Sequence, residues 1–134
     1  MKNLILSALL LSATTLLFGQ VDSVTSPHSE LFNYHMLEHK PLFAGATNQE
    51  QSEKLLNEFV AEKLEALNLE KGMKAFITFE IDVYGMVQNA VVVYGKDKVF
   101  NEIALGIVNG LPEWKPASKD LVLVRSSFTL EVKT

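Results

Sequence analysis

The 134-residue chain contains no cysteine. A disulfide framework, a thiolate metal site, a cysteine nucleophile and a lipid anchor on cysteine are therefore excluded. It has no excess of basic residues either: 12 Lys and Arg stand against 16 Asp and Glu, for a formal net charge of -4. The cations are scattered along the chain, which leaves no footprint for nucleic acid and no polybasic membrane segment. No glycine-rich run suited to cradling phosphate is present, and no nucleophile sits with a matching base. The expectation is a chain that is not an enzyme and uses no cofactor. Proline is sparse, at four residues, and tryptophan occurs once. Two of those prolines, Pro112 and Pro116, bracket the lone Trp114.

What is present begins with an export signal. Lys2 is followed by an apolar run over residues 4–18 that is softened by Ser7, Ser12, Thr14 and Thr15. At about fifteen residues this run falls short of the ~20 that span a bilayer comfortably as a helix. Residues 1–20 read as a signal peptide cleaved after Gly19 or Gln20, with retention as a membrane anchor the alternative. Residues 21–40 read as a flexible leader, polar at first and containing Pro27. Residues 41–134 then form one domain.

Within that domain the periodicity changes character several times. Leu55, Leu56, Phe59, Val60, Leu64 and Leu67 make the apolar stripe of a helix over residues 47–67, with Thr47 and Glu50 placed to form a capping box. Residues 73–83 alternate, with Ala75, Ile77, Phe79, Ile81 and Val83 on one face. Tyr84-Gly85 marks a tight turn, and residues 86–94 return as the second arm of a hairpin. The run over residues 90–94 is apolar on both faces, so one face meets a helix and the other meets something else. Asp97 is placed to cap a second helix, whose stripe is Phe100, Ile103, Ala104, Ile107, Val108 and Leu111. Gly110 and Pro112 end it. Trp114, held between two prolines, reads as a plug on the core whose indole N–H needs an acceptor. Residues 118–120 read as a loop. The final strand, over residues 121–133, places Val122, Val124, Ser126, Phe128, Leu130 and Val132 on one face.

One constellation suggests metal chemistry. His35, Glu38 and His39 follow the H-x-x-E-H order of one class of zinc peptidases. On a helix the two histidines would share a face, with Glu38 beside them as a base. The third histidine, His28, lies upstream in the leader and Pro41 limits any helix here. A zinc hydrolase built on His35, Glu38 and His39 is the remote reading, and solvated histidines on a short extended segment the ordinary one.

The order helix, Leu111-Pro112-x-Trp114-x-Pro116-Ala117, final strand resembles the C-terminal domain of TonB, in the form common among Bacteroidetes-type bacteria. Pro41, Phe43 and Gly45 match the opening Pro-x-Phe-x-Gly-Gly of that form, with Ala46 in place of the second glycine. The stretch from Ile81 to Val87 fits the Asp-x-x-Gly-x-Val hairpin pattern through Asp82, Gly85 and Val87. The resemblance implies an α+β fold with two helices packed on a three-stranded antiparallel sheet. It implies a periplasmic protein-binding module whose last strand receives a segment of a partner. In the family that segment is the TonB box of an outer-membrane transporter, in energy-coupled transport. The receiving edge would be roughly residues 125–132, with Arg125, Ser127, Thr129 and Glu131 tuning the partner. A soluble stand-alone adaptor of the same fold, transmitting no force, is the alternative, and a homodimer is open. No metal, cofactor or nucleic acid is implied. The mature chain is expected to lack residues 1–19 or 1–20. Intact mass and cell fractionation check this: a full-length chain in the inner-membrane fraction would make the segment an anchor.

Overall fold

The computed structural model describes residues 30–134. The expected signal peptide and most of the leader lie outside the described residues. Alternation builds the centre of the molecule. β1 is Leu31–Asn33 and β2 is Lys74–Ile81, which turns Ala75, Ile77, Phe79 and Ile81 onto one face, all fully buried. Asp82 then organises the turn: its Oδ1 accepts from the amides of Tyr84 and Met86 at 2.9 Å each. β3, Val87–Gly95, returns antiparallel to β2. Register shifts fall between Phe76 and Ile77 and between Thr78 and Glu80, and Asn89 in the second takes a φ of 51°. Each shift is a bulge that leaves an unpaired residue on β3 and increases its twist.

Two helices cover one face of this hairpin. α1 is Gln49–Glu65 and α2 is Lys98–Asn109. Their buried residues, Leu56, Val60 and Leu64 from α1 and Phe100, Ala104, Ile107 and Val108 from α2, join the inward residues of β2 in one core. Asp97 caps α2 as expected, its side chain accepting from the Phe100 amide at 2.7 Å. The cap of α1 is shifted by one residue from the expected Thr47–Glu50 pair. Asn48 accepts from the Gln51 amide at 2.8 Å, and Gln51 Oε1 accepts in turn from the Thr47 amide at 2.8 Å. Asn is a stronger N-cap than Thr, and it takes the position. Ser52, buried on α1, ties the helix to the preceding turn by accepting from the Phe43 amide at 2.8 Å. In that turn Gly45 alone carries a positive φ, 82°, so Ala46 sits without strain where the family pattern has glycine.

The architecture is α+β, but the sheet is not the expected three-stranded antiparallel one. It is a mixed five-stranded sheet in the order β1–β5–β2–β3, with β4 also paired to β5. β4 is Ala117–Lys119 and β5 is Val122–Lys133. The length of β5 is the physical reason. β2 pairs with it only from Ser126 to Lys133, leaving its first residues to other partners. β4 takes residues 122–124 through a two-residue turn, where Asp120 and Leu121 have φ of 51° and 66°. Positive φ at both central residues is the hairpin geometry that matches strand twist. What read as a loop is therefore a hairpin. β1 takes residues 125–127 in parallel. The expected leader is thus folded over its last part: Tyr34 and Leu37 are buried, and Leu37 packs with Ala117 and Val124. Two well-spaced apolar residues fill a corner that the hairpin and helices leave open.

Trp114 closes the core. It is 2% exposed, and its ring meets Phe43, Phe79 and Phe128 at centroid distances of 5.4, 6.2 and 6.0 Å. Its backbone is fixed as firmly as its ring: the Trp114 amide donates to the Gly85 carbonyl at 2.8 Å. Gly85 holds a φ of 84°, and any Cβ there would collide with the Trp114 carbonyl. The indole N–H has no hydrogen-bond partner among the described residues. Trp114→Ala is expected to cost about 3–5 kcal/mol, the range for emptying a large aromatic site. Gly85→Ala is expected to cost at least about 2 kcal/mol through positive-φ strain and the lost approach. Urea unfolding of both variants measures these, and an unchanged midpoint for either would show that the lock does not hold the fold.

Candidate functional site

Backbone hydrogen-bonding groups and an apolar groove coincide along β5. β5 lies between β1 and β2. On its β2 side it is paired from Ser126 to Lys133. On its β1 side only Arg125, Ser126 and Ser127 are paired. Over residues 128–133 that second side is an open strand edge, a row of backbone donors and acceptors available to another strand. Beside it runs a groove of about 480 Å³ between β5 and α1. Leu56, Val60 and Ala61 of α1 and Phe128 and Leu130 of β5 supply its apolar wall, with Glu53, Glu131 and Lys133 at its rim. A second groove of about 520 Å³ lies between α1 and α2, lined by Phe59, Leu67, Ile103 and Ile107. It presents side chains between helices and no strand edge.

The upper end of the β5 groove is closed by the segment that follows β1. Tyr34, 6% exposed, sets its ring edge-on to Phe128 at 4.7 Å. Its hydroxyl donates to Gln49 Oε1 on α1 at 2.6 Å. Tyr34 therefore bridges the two walls. Burial pushes its phenol pKa above the usual 10.0, and the nearby Glu53 carboxylate adds to the rise.

The four residues expected to tune a partner lie along one side of β5, and of them only Glu131 reaches the groove, at its rim. Thr129 stands opposite Thr78, their hydroxyls 3.1 Å apart. Glu131 reaches Lys74 at 3.7 Å across the same face, and Arg125 donates to Glu80 at 3.1 Å. Ser127 is opposite Glu80. Arg125 and Ser127 also fall in the stretch already paired with β1. The groove wall is built instead from the even-numbered residues of β5 and from α1. The alternation along β5 identifies the inward face, but no sequence signal shows that α1 stands off from the strand.

The structural motif residues hold the frame of this site. Leu42, between Pro41 and Phe43, exchanges backbone hydrogen bonds with Lys115, at 3.0 and 2.8 Å. Leu111, Trp114 and Ala117 are buried, with Pro112 and Pro116 partly so. The histidine constellation is not assembled. His35 lies in a single 3-10 turn, Tyr34–Met36, which Leu37 ends in extended conformation, and His39 forms an isolated bridge with Ser118. His35, Glu38 and His39 are all exposed. Among the described residues no group of three or more His, Asp or Glu side chains is placed to hold a metal ion. Among the same residues, no helix is long and apolar enough to cross a membrane.

Comparison of the chain with family models, with curated proteins and with solved structures finds no match.

The Tyr34 bridge has a pH signature. Its folded pKa is raised, so the folded state holds the phenolic proton more tightly than the unfolded chain does. The stability this confers is complete below pH 10 and is lost as pH rises through the folded value. Tyr34→Phe is expected to cost about 1 kcal/mol at neutral pH, for one hydrogen bond, and to flatten the decline above about pH 10. Thermal melts of both proteins from pH 8 to 11 measure the difference; parallel declines would show that Tyr34 does not titrate with unfolding.

Proposed function

We propose that this chain is an exported protein-binding module of TonB C-terminal type that receives an extended segment of a partner at the open edge of β5. The observation that carries this reading is the coincidence of the edge over residues 128–133 with the apolar groove against α1. An added strand would draw its orientation and much of its affinity from backbone pairing. Side chains at alternate positions would enter the groove against Leu56, Val60 and Leu130, and the others would share the outer face with Thr129 and Glu131. A partner segment of alternating apolar and polar residues suits this geometry. The ordered motifs from Pro41 to Ala117 support a TonB-type assignment, and in that family the partner is an outer-membrane transporter in energy-coupled transport. Coupling of energy requires residues 1–20 to stay in the membrane; cleavage makes the domain an adaptor.

Proline scanning tests the edge. Adjacent residues in a strand direct their amides to opposite sides. Of Thr129 and Leu130, one therefore donates toward β2 and the other toward the open side. Proline at the outward position is expected to leave the fold intact and abolish binding of partner peptides. The measurement is titration of alternating-sequence peptides from candidate transporters, followed by backbone amide shifts. Undiminished binding in a folded proline variant would sink the edge assignment.

A further inference from the structure

The opposite edge of the sheet carries a different chemistry. β3 is the last strand in the order, and only β2 pairs with it. Its nine residues, VQNAVVVYG, contain no charge and no proline. Exposed edges are ordinarily guarded by lysine, proline or bulges, and of these β3 has only the bulges at Val93 and Asn89–Ala90. This edge instead exposes Val91, Val93 and Tyr94, at 56%, 58% and 52%. Val91 and Tyr94 stand opposite Thr78 and Phe76 on the sheet face away from the helices, and the Tyr94 and Phe76 rings are 6.1 Å apart. The second apolar face that the sequence shows over residues 90–94 therefore has no cover in the isolated chain.

Charge at the two ends of β3 identifies the occupant. The C-terminal end leads into Lys96 and Lys98, with Asp97 engaged as the cap of α2. The N-terminal end holds the Asp82 carboxylate, which accepts from the Met86 amide at 2.9 Å, while Glu113 and Lys115 flank the Trp114 that bonds Gly85 and offset each other. One end is basic and the other acidic. A second β3 laid antiparallel about a two-fold axis near Val91 brings Lys96 of each copy alongside Met86 and Asp82 of the other. Opposite charges meet at both ends, and valines meet in the middle.

We propose that β3 is a self-association edge, and that two copies of this chain join through it into one continuous sheet. The symmetry is that of a closed, isologous dimer. The bulges at Val93 and at Asn89–Ala90 lie within β3 and leave only Val91 and Val92 between them in regular pairing, so side chains carry most of the contact. The outer strips of Phe76, Tyr94 and Val91 from the two copies become one apolar band. The dimer leaves the β5 edge of each copy open, on the far side of the sheet order.

Sedimentation velocity of the mature chain over a range of concentrations tests this. A reversible monomer–dimer equilibrium is expected. Val91→Lys places like charges across the axis and is expected to raise the dissociation constant at least about tenfold. Lys96→Glu is expected to weaken the dimer comparably at low salt and much less at high salt, where screening removes the end-to-end attraction. Val91 and Lys96 are exposed, so both variants should melt like the parent. Leu121→Asp, at the β4–β5 hairpin tip, is expected to leave the dimer unchanged. A chain that stays monomeric throughout would overturn the proposal. So would a dimer that Val91→Lys leaves intact, or one that Leu121→Asp dissolves.

Discussion

The contact between Trp114 and Gly85 is the constraint on which the rest of the structure depends. It joins the turn of the central hairpin to the segment leaving α2, through an amide–carbonyl bond of 2.8 Å that only a residue without a side chain permits. Fixing the Trp114 backbone there drives its ring into the space between Phe43, Phe79 and Phe128. Those three rings come from the turn before α1, from β2 and from β5. One residue therefore sets the relation of the hairpin, the first helix and the last strand. The same segment pairs Lys115 with Leu42, which places the turn before α1 beside the connection that follows α2. Aromatic contacts of this kind add specificity to burial because edge and face meet in preferred directions. The unpartnered indole N–H is a local cost, which the burial of a large aromatic surface outweighs.

How much of this was legible in the sequence depends on whether the signal was local. The alternation of Ala75, Ile77, Phe79 and Ile81, the stripe of α2 and its Asp97 cap are each written within a few residues, and the structure has them. The shift of the α1 cap from Thr47 to Asn48 shows the limit of reading adjacent polar residues, each able to cap. β4 was not legible, because Ser118 and Lys119 lack a strand-like pattern and pair only because the Asp120–Leu121 turn folds them onto β5. β1 was not legible for a related reason. Three residues joined in parallel to a strand more than ninety positions away leave no periodic trace. Tyr34 and Leu37 were visible as apolar residues, but their burial depends on a corner formed by Ala117, Val124 and Phe128. The candidate site followed the same division: the identity of β5 as a long edge-capable strand was readable, whereas the groove against α1 is a property of packing distance.

β1 also changes what the β5 edge can offer. An uncovered β5 would present a long edge from residue 122 onward. The chain covers residues 125–127 of that edge with β1, and closes the far end of the groove with the Tyr34 bridge. Beyond β1, residues 128–133 are the part that runs against α1. In that stretch backbone groups and an apolar wall occur together. An edge shortened in this way is less exposed to indiscriminate pairing. It still retains enough length for a strand of ordinary size, since strands of five or six residues are the commonest.

The two free edges of the sheet are distinguished by what flanks them. At β5 the rim carries Glu53, Glu131 and Lys133 around an apolar wall, and Lys74 and Glu131 already neutralise one another across the face. Such an edge discriminates by the side chains of the incoming strand, because each polar rim group must keep a partner or water. At β3 the strand itself has no charge, and the charged groups sit beyond its ends with opposite signs. That arrangement selects by direction: a parallel neighbour would set lysines against lysines, and an antiparallel one sets them against carboxylates. Direction is the property that separates self-pairing about a two-fold axis from pairing with an arbitrary strand. The sheet therefore keeps its two edges apart in chemistry as well as in space, and the two proposals, recognition of a different chain and recognition of itself, fall on different edges.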